Sequence, residues 1–176
     1  MGYYLFVKDE TIEYKGQLPN DDINYECIEV SKEVYDNYED YIYSNGEIII
    51  NPELDKIRLD NAKADKIAIN DELRDEALLQ GVEYQNVLFD SDTDQKVNLL
   101  ATVGMMSDSD TIVWYGMDNQ GLLCNKQDLS NIGLLITELH SFCWGNNAYI
   151  KEQISQAETM EELEAIEISY ENSGNI

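Results

Sequence analysis

The chain has 176 residues, of which 43% are hydrophobic, enough for one compact domain or for two small ones joined by a helix. Asp and Glu number 36 against 11 Lys and Arg, giving a formal net charge of -25 and a pI near 4.1. So negative a surface repels phosphate backbones and anionic lipid, which argues against nucleic acid and membrane as partners and favours a protein with basic patches. A compositional bias of the source proteome would produce the same acidity, because net charge reports on solubility and association rather than on fold.

The first residues, MGYYLFVKDE, lack the basic start and long apolar run of a secretory signal, and no stretch approaches the roughly 20 apolar residues of a membrane span. Cys27, Cys124 and Cys143 fall at unrelated spacings, so they read as small buried hydrophobes in a reducing compartment. Synthesis and folding in the cytoplasm are therefore expected.

Residues 1–52 read as a β-rich lobe. Segments 3–7 and 11–14 flank Lys8-Asp9-Glu10 as a hairpin, residues 16–24 with Pro19 form a loop, and 25–30 alternate as a half-buried strand does. Ser31 suits a helix N-cap, with a short helix over 32–40. Segments 41–43 and 47–50 flank Asn45-Gly46, a strong hairpin signal. Residues 53–80 form a connecting helix without Gly or Pro, about 40 Å long, stopped by Gly81. Leu54, Ile57, Ala64, Ile67, Leu73, Ala77 and Leu78 lie mostly on one side of it. It is either a stalk or coiled-coil segment between two lobes, or an amphipathic helix packed on the C-terminal lobe.

Residues 81–170 read as a C-terminal α+β lobe, and 171–176 as a flexible tail. A hairpin over 82–89 turns at Gln85-Asn86, and a helix over 96–105 has Asp92 or Thr93 as its cap. Strands 111–115 and 121–124 flank a turn at 117–120. Asp128 or Ser130 begins a long helix through Ile132, Leu135, Leu139, Phe142 and Cys143, loosened at Gly145-Asn146-Asn147 before Ile150 and Ile154. Thr159-Met160-Glu161-Glu162 is a capping box opening a helix through Leu163 and Ile166, with 169–176 as a frayed end. The fold class is α+β.

The C-terminal lobe carries a resemblance. The helix end led by Arg74, the strand at Gly81-Val82, the turn Phe89-Asp90-Ser91-Asp92, Trp114 with Asp118-Asn119, His140 on the long helix, and Ile154, Ala157, Thr159, Glu161, Glu162, Leu163 and Ile166 follow one another in order. This resembles an uncharacterised domain of phage tail-fibre, baseplate and tail-fibre-assembly proteins, over about residues 74–170. The resemblance implies a non-enzymatic component of a bacteriophage tail or tail-like particle, a fibre or baseplate subunit working through protein–protein contacts in assembly and host attachment. A fibre-assembly chaperone is the alternative, and an enzyme acting on cell-wall polysaccharide a distant third. Implied partners are other tail, baseplate or fibre proteins, a homotrimer by family analogy, and a host surface receptor; the implied location is the virion tail. The family brings no established catalytic activity and no cofactor, so no catalytic, cofactor-binding or metal-binding residue is expected.

The residues themselves offer few reactive sites. Asp90-Ser91-Asp92-Thr93-Asp94 opens like a calcium loop, but Gln95 stands where that loop needs glycine and Ala101 where it needs a bidentate Glu. Its carboxylates are better suited to bonding backbone amides and capping the next helix, and Ser107-Asp108-Ser109-Asp110 reads as a solvated loop. His140 and Cys143, at i and i+3, could share a helical face as base and nucleophile, but no third residue orients them, so packing is expected. Phosphate loops and nucleophile elbows are absent from the sequence. The tyrosines, Trp114 and Trp144 suit contacts with proteins or sugars, against a competing role in hairpin and core packing.

Overall fold

The computed structural model describes residues 2–19 and 24–171. It divides into two compact units, Met1–Asp60 and Asn61–Ile176.

In the first unit β1 (Tyr3–Lys8) is the central strand of an antiparallel sheet ordered β2-β1-β3, with β2 (Thr11–Gly16) and β3 (Glu26–Val30) on its edges. Asp9 and Glu10 form the two-residue β1–β2 turn, both with positive φ, the geometry whose twist matches paired strands. Leu5, Phe6 and Val7 are buried in the middle of this sheet. Ser31 caps α1 (Lys32–Asp36) by accepting from the Val34 amide at 3.2 Å. This helix is shorter than the sequence indicated. Asn37 leaves the helical region and its amide returns to the Glu33 carbonyl, and a 3-10 turn, Tyr38–Asp40, follows. β4 (Tyr41–Ser44) and β5 (Glu47–Ile50) pair across Asn45-Gly46, both at positive φ. The loop expected over 16–24 lies partly outside the described residues.

α2 (Leu54–Leu78) begins in the first unit and ends in the second. Gly81, at φ +81°, allows the chain to leave it, and a Cβ there would sit 2.6 Å from the Phe89 carbonyl oxygen. The hairpin β6 (Val82–Tyr84) and β7 (Val87–Phe89) follows, turning on Gln85-Asn86 at positive φ. α3 (Thr93–Met105) is capped by Asp92, whose carboxylate accepts from the Gln95 amide at 2.7 Å, so it starts three residues before the expected Lys96. β8 (Thr111–Tyr115) and β9 (Gly121–Asn125) form a second hairpin.

α4 (Lys126–Gln156) is uninterrupted. Its N-cap is Asn125, not Asp128 or Ser130: the Asn125 side chain and the Asp128 amide bond at 2.9 Å, and the Asp128 carboxylate returns to the Asn125 amide at 2.9 Å. The capping pair thus begins on the last residue of a strand, where sequence periodicity gives no warning. Gly145-Asn146-Asn147 does not loosen the helix, because a helix packed along one face tolerates a glycine on its other. Leu129, Ile132, Ile136, Cys143, Asn147, Ile150 and Ile154 are buried at alternating helical spacing. The first of these close a core with Val82, Val87, Phe89, Leu99 and Cys124. α5 (Met160–Glu164) is capped by Thr159 at 3.1 Å from the Glu162 amide; Glu162 reaches back to the Glu158 amide, and the helix stops before Ile166. The expected frayed end is overturned at its start, since Tyr170 is buried against Ala77 and Cys143; positions 172–176 of the expected flexible tail lie outside the described residues. The α+β class is observed, and no helix of the described residues is long and apolar enough to cross a membrane.

Candidate functional site

The largest concentration of buried polar groups in the second unit lies where α2 meets α4, and it was not legible as a site. Asn70 is fully buried and Asn147 nearly so. Each amide donates to the main-chain carbonyl of the other, Asn70 Nδ2 to Asn147 at 3.1 Å and Asn147 Nδ2 to Asn70 at 3.4 Å. Tyr170 donates to Asn70 Oδ1 at 2.7 Å. One turn along, the Asp71 carboxylate accepts from Asn147 at 3.0 Å, from Arg74 at 2.8 Å and from Lys151 at 2.7 Å. Hydrogen bonding to Lys151 leads the causes that hold the Asp71 carboxyl below its ordinary range. Arg74 also pairs with Asp75 at 2.7 Å and lies 4.2 Å from the centroid of the Trp144 ring. Burial pulls its guanidinium down, but the Asp75 and Asp71 pairs outweigh this and keep it raised.

This arrangement clamps two helices and the C-terminal segment in one register. A one-residue slip would leave buried amides without partners, at about 1–3 kcal/mol each. Two further cations extend it: Lys63 donates to the Ser155 carbonyl at 3.1 Å at the end of α4, and Lys66 to the Leu163 carbonyl at 2.6 Å at the end of α5. Both place positive charge where helix dipoles end negative.

The sequence candidates are distributed elsewhere. Asp92 caps α3, and Ser91 is buried, with its hydroxyl accepting from the Gly81 amide at 3.2 Å and donating to the Leu78 carbonyl. Among the described residues no group of His, Cys, Asp and Glu is arranged to hold a metal ion. Asp110 accepts from the Ser107 amide at 2.7 Å, closing the loop before β8, while Asp108 is exposed and pairs with Lys126 of α4 at 3.4 Å, so 107–110 is a solvated loop. His140 Nε2 lies 2.7 Å from the Ser91 carbonyl, which can only accept, so that nitrogen carries the proton. Cys143 is fully buried and burial pushes its thiol up, the reverse of what a nucleophile requires.

The aromatic candidates divide. Tyr14 packs between Phe6, at 4.5 Å, and Tyr25, at 5.2 Å, and the Lys15 ammonium sits between the rings of Tyr35 and Tyr38 at 4.9 and 4.7 Å, so these tyrosines serve the first unit's own packing. Trp114 lies against the second unit's core with its Nε1 buried and unpartnered. Trp144 is 53% exposed beneath Arg74.

Apolar surface remains open in three places of the second unit. A groove of about 290 Å³ runs between α3 and α4 past Leu100 and Leu134, and one of about 460 Å³ lies between α2 and the α5 segment. The outer face of β8–β9 adds Val113, Tyr115 and Leu123.

The second unit is thus an α+β domain organised around one long helix, with Lys63, Lys66, Arg74, Lys126 and Lys151 bonded to acceptors within it. The chain belongs to the family described as Domain of unknown function (DUF4376), which matches residues 61–169 and so begins where the second unit begins. Comparison with curated proteins and with solved structures returns no match.

Proposed function

We propose that the chain is a non-enzymatic structural component of a bacteriophage tail or tail-like particle, a fibre or baseplate subunit that acts by docking to neighbouring tail proteins. The observation that carries the reading is the ordered resemblance of residues 74–170 to a tail-associated domain. Those residues serve architecture: Arg74 clamps α2 to α4, Ser91 ties the end of α2 to β7, Asp92 caps α3 and Thr159 caps α5. The reactive residues agree with it, since His140 bonds a backbone carbonyl and the Cys143 thiol is buried. Open apolar grooves on a strongly acidic body suit docking to basic, partly apolar surfaces. The test is the copy number of this chain in purified particles relative to the tail-tube protein. A fixed ratio supports a subunit, whereas absence from particles together with a complex with the fibre protein in lysate makes it an assembly chaperone.

A further inference from the structure

The geometry points to the groove between α2 and the α5 segment as the docking site for a cationic, amphipathic segment of a neighbouring protein. The inference rests on the assembly reading and names the partner's chemistry and the place it binds.

The groove has an apolar lining from Ala62, Ile69, Met160, Ile166 and Ile168. Ile69 is 50% exposed and Met160 42%, although both sit beside a packed floor, so they are available as contacts without being needed by the core. Its volume, about 460 Å³, accommodates a few apolar side chains projecting from a helix at i, i+3 or i+4 and i+7.

Charge decides which segment fits. Asp65 and Glu164 line the groove, and neither has a cationic partner among the ion pairs of the described residues. The cation at the groove, Lys66, is committed to the Leu163 and Glu164 carbonyls at 2.6 and 3.5 Å. Lys63, Arg74, Lys126 and Lys151 in the same unit are likewise bound to internal acceptors. Lys66 keeps its charge in those bonds, but two carboxylates against one ammonium leave the rim net negative, and an apolar segment bearing Lys or Arg on its flanks meets it best. A second copy of this chain is disfavoured, because each copy carries -25 and brings its own carboxylates to the contact.

The probe is a fluorescent peptide of roughly four helical turns, with leucines at i, i+3, i+4 and i+7 and lysines elsewhere, and a twin with glutamates replacing the lysines. Anisotropy is measured with the full chain, its Ile69→Glu variant and an Asp65→Lys/Glu164→Lys variant, each checked for folding by circular dichroism. We expect the lysine peptide, and not its twin, to bind the unaltered chain. Ile69→Glu weakens binding about tenfold despite adding negative charge, and the double reversal weakens it similarly while admitting the glutamate twin. Equal binding to all three proteins would mean diffuse attraction to an acidic surface and overturns the proposal, as does no binding at all. Dimerisation of the unaltered chain in sedimentation, lost in Ile69→Glu, overturns it in favour of a second copy. Groove-dependent binding by a chain absent from tail particles removes the subunit reading and leaves the groove; groove-independent binding by a chain present in them does the reverse.

Discussion

Replacing Asn70 with alanine tests whether the polar joint between α2 and α4 stabilises the second unit. The change removes the donor to the Asn147 carbonyl at 3.1 Å and the acceptor for Tyr170 at 2.7 Å, each about 1 kcal/mol. The site is fully buried, so a void of a few heavy atoms adds roughly 0.5–1 kcal/mol. Tyr170 keeps a fallback acceptor in the Asn70 main-chain carbonyl at 3.3 Å, which limits the loss to about 2–3 kcal/mol, or roughly 6–15 °C in Tm. Trp114 and Trp144 both belong to the second unit, so urea unfolding followed by tryptophan fluorescence reports on that unit. Tyr170→Phe strands the Asn70 oxygen and costs about 1–2 kcal/mol by itself. The double variant closes a cycle whose coupling should be about 1 kcal/mol. Additive losses, with coupling no greater than a few tenths, would refute the claim that this bond holds the C-terminal segment down.

Asp71→Asn should destabilise at neutral pH and lose that effect in acid. The folded carboxyl titrates below its unfolded value, so its contribution is fully present above the ordinary carboxylate range and disappears as pH falls through the folded value; the difference between the two proteins in urea midpoint should shrink accordingly. Gly81→Ala combines φ +81° with a Cβ 2.6 Å from the Phe89 carbonyl and should cost more than about 2 kcal/mol, whereas Gly46→Asn, at φ +89° in open space, should stay within about 1 kcal/mol by the same unfolding measurements. Asn125→Ala should lower stability by about 1 kcal/mol through loss of the α4 cap, while Ser130→Ala, whose hydroxyl bonds back to the Lys126 carbonyl within the helix, should change it by less than about 0.5 kcal/mol; thermal unfolding separates the two.

What was legible in the sequence is what local physics dictates. Asn45-Gly46 declares its turn because both residues tolerate positive φ, and Thr159, Ser31 and Asp92 declare caps because a short oxygen-bearing side chain precedes a helical run. Asp9-Glu10 makes the same two-residue turn with residues that carry no such signal, so its place was legible and its geometry was not. The polar joint was hidden for a different reason. Lys63, Lys66 and Asn70 lie off the apolar side of α2 as the sequence gives it, and their partners Ser155, Leu163 and Asn147 stand 92, 97 and 77 residues away. One signal was available: Asn147 falls in phase with Cys143, Ile150 and Ile154, and a polar residue in an apolar stripe asks for a buried partner. Read instead as a helix-loosening Gly-Asn-Asn run, it obscured the joint. The grooves could not have been foreseen, since an exposed isoleucine such as Ile69 becomes a groove wall only when α5 is folded beside it.

The most direct test of the assembly account is quantitative mass spectrometry of tail particles purified through a stringent salt wash. The account predicts this chain at a constant whole-number ratio to the tube protein's rings across preparations. A chain that is missing from washed particles, or present at a ratio that drifts with each wash, contradicts it.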